Sequence, residues 1–98
     1  SLILGEAASP EDLAKIRAAI ENGDQGRVIH IKTVHLGPEE ILVAAKIRIH
    51  DADTGITVAN EIDKTEERIR EAVPAARVIY LEPDVYRPKA QDSTSVSH

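Results

Sequence analysis

Between Ile41 and Ile49 every odd-numbered residue is apolar: Ile41, Val43, Ala45, Ile47 and Ile49. Side chains of an extended chain alternate between two faces, so this run buries well only as a strand with one face against a core. Lys46, Arg48 and His50 fall on the opposite face. A strand over residues 41–50 therefore belongs to a sheet with one dry side and one side left to water or a partner. A chain of 98 residues has room for one small domain, and its remaining segments must supply the layer that covers the dry side.

The flanking segments can do so. Residues 27–36 are rich in Val, Ile and Thr and read as a strand. The short turn Gly37-Pro38-Glu39-Glu40 makes the two strands an antiparallel hairpin. Before them, Ser9-Pro10-Glu11-Asp12 is a helix start, with a capping hydroxyl, proline at the first position and acids at the positive end of the dipole. Leu13, Ile16 and Ile20 continue it at helical spacing, and Asn22-Gly23 ends it, Gly23 being suited to a left-handed cap. After a loop at Asp51-Ala52-Asp53-Thr54-Gly55, the stripe Val58, Ile62, Ile69 and Val73 marks a second helix. Glu66 and Arg70 can pair one turn apart on its wet side, and Pro74 helps to end it. Residues 77–82 read as a third strand, stopped by Pro83. The order α-β-β-α-β predicts an α+β two-layer sandwich, a three-stranded sheet with two helices on one face. It is the ferredoxin-like, split βαβ pattern without its first strand.

Composition narrows the function. There are two Tyr and no Phe or Trp, so the core is built from Ile, Leu, Val and Ala; a thin core gains from a dimer interface or a bound metal. The net charge is −5 with no basic cluster, which argues against nucleic acid and anionic lipid as partners. The absence of cysteine excludes a disulfide framework and a thiolate zinc site. No apolar run approaches the roughly 20 residues that span a bilayer, and no signal peptide is visible. The start at Ser1 and the apolar tip Leu2-Ile3-Leu4 are expected to be the trailing end of a removed part, making residues 1–8 a linker, 9–86 the domain and 87–98 a polar, disordered tail. His98 is either native or the remnant of a tag.

No enzyme signature is present. Gly23 and Gly26 follow a helix and make no phosphate loop, and the acid pairs Glu39-Glu40 and Glu66-Glu67 read as solvated charges. The histidines carry more. His30, His35 and His50 lie on or at the ends of the hairpin strands. His30 and His35 are separated by an odd number of residues and point to opposite faces unless the strand bulges. His50 falls near the start of the first strand, closer to Arg27 or Ile29 than to His35. With Asp51, Asp53, Glu82 and Asp84 nearby, histidine and carboxylate form a donor set for zinc, manganese, iron or cobalt. A surface histidine that is merely solvated is the plainer alternative for each.

Three segments together resemble the cytoplasmic C-terminal domain of cation diffusion facilitators. Leu4-Gly5-Glu6-Ala7-Ala8-Ser9 is similar to the family's join between membrane and cytoplasmic parts. Val28-Ile29-His30-Ile31-Lys32-Thr33-Val34-His35-Leu36-Gly37-Pro38 resembles its first strand and turn. Val73-Pro74-Ala75-Ala76-Arg77-Val78-Ile79-Tyr80-Leu81-Glu82-Pro83 resembles its closing segment, and the likeness covers residues 4–86. It implies a membrane parent that expels divalent cations, in exchange for protons, through residues absent from this chain. It also implies a homodimeric arm on the cytoplasmic side of the cell membrane, which in many members binds cations at or near the dimer interface and so biases transport. The metal residues carry over poorly, and neither His30 nor His35 falls on the family's first-strand histidine position without a shift. Where the last strand of such members has a histidine and then an acid, this chain has Tyr80 and Glu82, and their second-strand histidine corresponds to Ala45. The binuclear site of the best-known members is therefore not expected; a site here would be a weaker or rearranged one, drawn from His30, His35 or His50 with Glu82 or Asp84, and the alternative is a domain without a metal site that simply holds the dimer together.

The alternative is a stand-alone ferredoxin-like module that binds a small molecule or a protein, since one element order serves many functions. A small enzyme is the weakest reading, because nothing pairs a nucleophile with a base.

Overall fold

The computed structural model describes residues 4–50 and 55–85. The apolar tip before Leu4, the acids Asp51 and Asp53, and the tail beyond Val85 lie outside the described residues. The elements are α1 (Pro10–Glu21), β1 (Gly26–Gly37), β2 (Glu40–Ile49), α2 (Gly55–Ala72) and β3 (Val78–Val85), in the order read from the sequence.

Helix α1 starts as its residues dictate. The Ser9 hydroxyl accepts from the Asp12 N–H at 3.1 Å, and Pro10 opens the helix. At the other end Asn22 takes the left-handed conformation (φ 43°), as does Gly23 (φ 75°), and the Asn22 N–H returns to the Ala18 carbonyl. Only glycine fits at the start of β1. A Cβ on Gly26 would stand 2.5 Å from the Ile20 carbonyl oxygen, so β1 passes directly under the last turn of α1.

The sheet has the order β1-β2-β3. β1 and β2 are antiparallel, and β2 and β3 are parallel. In a split βαβ unit another strand separates the two parallel ones. Here that strand is missing, and β2 and β3 close directly on each other with α2 as the crossover. The residues ahead of α1 cover part of the outer edge of β1 instead. The Gly5 N–H donates to the His35 carbonyl, the His35 N–H to the Glu6 carbonyl, and the Ala8 N–H to the Thr33 hydroxyl.

The alternation in β2 has the predicted sense: Ile41, Val43, Ala45, Ile47 and Ile49 are all buried. Ile16 and Ile20 of α1, Ile69 of α2, and Val73, Ala76 and Ile79 complete the core. Arg68 of α2 reaches across to the Ala19 carbonyl of α1 at 2.8 Å and ties the helices together. Glu66 and Arg70 pair at 3.6 Å, as their spacing predicts.

Two details depart from the sequence reading. β1 bulges at Ile29: Val28 pairs with Ile47 and His30 with Lys46, which leaves Ile29 without a partner position. The bulge swaps the phase of the strand, so that Ile31 and Thr33 face the core after it, as Val28 does before it. Pro83 does not stop β3, which continues to Val85. β3 is an edge strand, and an edge tolerates the missing N–H of proline where an inner strand does not.

Candidate functional site: the open face of the sheet

Neither helix covers the second side of the sheet, and the register arranges its side chains in four rows across the strands. They are Val34–Leu42–Val78, Lys32–Ala44–Tyr80, His30–Lys46–Glu82, and Arg27–Arg48–Asp84. One end is thus apolar and the other charged, with Tyr80, 64 % exposed, between them. A cavity of about 730 Å³ opens here, lined by His30, Lys32, Lys46, Tyr80 and Glu82 over Ala44.

The charged end carries its own cations. Arg48 Nη2 donates to Asp84 at 2.9 Å. That hydrogen bond, with the charges of Arg48 and Lys46, holds the Asp84 carboxyl below its usual range against the opposing effect of desolvation. Arg48 Nε is buried and has no partner among the described residues. The side chains of His30, Lys46 and Glu82 make no hydrogen bond or ion pair among the described residues.

The sequence-nominated donors occupy three places. His30, Glu82 and Asp84 share the open face. His35 lies on the helix side, opposite Ile41, with Nδ1 3.0 Å from the Gly37 carbonyl. The bulge at Ile29 precedes both histidines, so their expected opposition holds. His50 follows β2 beside the start of β1, as its position implied. Its Nδ1 lies 2.8 Å from the Asp24 carbonyl, so that nitrogen is the donor. It faces a cleft of about 360 Å³ shared with Asp24, Gln25, Thr57 and Glu61. Among the described residues no group of three or more His, Asp or Glu stands close enough to hold a metal ion. The described residues of one chain therefore do not offer a divalent cation a closed site.

Sequence reasoning missed the part played by Lys46 and Arg48. The signal was available, because both alternate with the buried isoleucines of β2, but their facing partners are set by a register that includes an unforeseen bulge.

No family model matches the chain, and no curated protein matches it in sequence. Solved structures do. A histidine-to-alanine variant of the MamM C-terminal domain superposes with a TM-score of 0.70 at 14% identity, covering 82% of this chain and 100% of that one. The nickel form of an aspartate-to-asparagine variant gives 0.70 at 14% identity, covering 81% and 100%. The copper form of an aspartate-to-histidine variant gives 0.68 at 14% identity, covering 79% and 96%. MamM is a cation diffusion facilitator, so this chain has the fold of that family's C-terminal domain, α+β with a mixed three-stranded sheet.

Proposed function

We propose that this chain is the cytoplasmic C-terminal arm of a divalent-cation efflux transporter and acts there as a dimerisation and regulatory domain. The observation that carries the reading is the fold agreement over the whole length of the MamM domains, joined to the independent resemblance of three segments in the sequence. Cation export in exchange for protons would belong to the membrane part; among the described residues no helix is long and apolar enough to cross a membrane. The open face is the surface for pairing with a second copy. Its Val34–Leu42–Val78 row and Tyr80 give it apolar area that neither helix covers. Two arms that pair better in one state of a transporter than in another bias that state by the difference in pairing free energy. The copper and nickel forms of the MamM domains make divalent transition metals, zinc included, the class of ligand to test.

The test has two parts. The gene encoding this chain is expected to carry several apolar spans of about 20 residues each upstream; a reading frame without them removes the transporter reading. In sedimentation velocity the chain is expected to form a dimer that Leu42→Glu and Tyr80→Glu each convert to monomer. A folded monomer at every concentration tested would count against a dimerisation arm and favour the stand-alone binding module.

A further inference from the structure

The row His30–Lys46–Glu82 holds an imidazole and a carboxylate, a donor pair suited to zinc and its neighbours, on the two outer strands with a lysine on the strand between. Neighbouring strands stand about 4.8 Å apart, so the backbones of His30 and Glu82 are about 10 Å apart with Lys46 midway. Over a small central residue, side chains of these lengths could meet at one ion. Over Lys46 the midpoint is instead the place where a long cationic side chain leaves the sheet. In the next row, Arg48 of β2 already engages the Asp84 carboxylate at 2.9 Å. Each acid on this face thus stands beside a basic residue of β2.

We propose that Lys46, placed by the register between His30 and Glu82, guards this row of the open face against divalent ions by its positive charge. A lysine carried by the strand between them puts positive charge in that row without ion-pairing to Glu82, and this charge repels an incoming dication. A positive charge then stands in this row at all metal concentrations, and Lys46 sets the selectivity of the face against divalent ions. This inference rests on the arm reading for its place in transport, but its chemistry stands on the register alone.

Isothermal titration of the 98-residue chain with zinc, followed in parallel by the ring resonances of His30, tests it. Lys46→Ala and Lys46→Gln are both expected to bind zinc at least about tenfold more tightly than the unaltered chain, with the His30 signals shifting. Adding Glu82→Gln to either variant is expected to abolish the gain. Lys46 is exposed, and the Gln variant keeps most of its stem, so folding is not at stake in both. Zinc that moves the His30 signals of the unaltered chain with the affinity seen in the variants would overturn the proposal, as would no gain in either variant. Sedimentation velocity on the same samples keeps the two readings apart: monomers throughout speak against the arm, and the zinc affinities alone decide the role of Lys46.

Discussion

Arg48 and Asp84 sit opposite each other on β2 and β3 and meet through a single guanidinium nitrogen at 2.9 Å, while Arg48 Nε stays buried and unpartnered. The pair is end-on, and both side chains are more than a third exposed. Such a pair contributes modestly and weakens with salt.

Its pH dependence has a definite sign. The folded-state pKa of Asp84 lies below the ordinary aspartate value, chiefly through the Arg48 hydrogen bond. The stabilisation is therefore fully present above that value and is lost as pH falls through the lower folded-state pKa. Urea midpoints of the unaltered chain and Asp84→Asn are expected to differ by a constant small amount at neutral pH and to converge in strong acid. A difference that persists unchanged in acid would mean that the carboxylate charge is not what stabilises the pair.

Thr33 is the anchor of the leading segment. Its hydroxyl accepts from the Ala8 N–H at 3.0 Å, and both residues are buried. Thr33→Val keeps the shape and leaves that N–H without a partner, at a cost of about 1–3 kcal/mol. Hydrogen exchange should accelerate at Ala8 and, through the paired backbone, at Gly5 and His35, more than at Ile47 in the sheet centre. Uniform acceleration across the sheet would show that the segment is not a separate unit.

Gly26 tests the close passage of β1 beneath α1. Gly26→Ala places a methyl against the Ile20 carbonyl, which is backbone and cannot swing away. About 1–3 kcal/mol of stability is expected to be lost, with denaturant unfolding as the readout. Unchanged stability would mean that the last turn of α1 yields freely.

Ile69 is fully buried between α2 and the sheet. Ile69→Ala is expected to cost about 2–5 kcal/mol. In a domain of this size that is a large share of the total, so thermal unfolding should move down by many degrees or lose its cooperative transition.

How far the sequence reached depends on the physical origin of each feature. The period-two run from Ile41 to Ile49 and the helix start at Ser9-Pro10 rest on local sterics and local hydrogen bonds, so both could be read and both hold. The extent of β3 could not, because whether Pro83 ends a strand depends on its place in the sheet, and an edge position is a tertiary fact. The bulge at Ile29 escaped for a related reason. Val28-Ile29 reads as two apolar residues in a row, and only pairing with β2 decides which is displaced. For the candidate site, the residue types and the separation of the histidines were legible, and the rows across the sheet were not. The opposition of His30 and His35 and the place of His50 near the start of β1 could be read from parity and strand order, and both hold; which side chains join His30 across the sheet could not. Lys46 went unweighed because a lysine on a wet face looks solvated until its row mates are known.

The chain has two tyrosines and no tryptophan, and Tyr80 stands in the open rather than in the core. With Tyr86 replaced by phenylalanine, the ultraviolet emission of Tyr80 is therefore an optical probe built into the very surface in question. An arriving partner or ion would quench, brighten or polarise that light while the isoleucine core, which has no chromophore, stays dark.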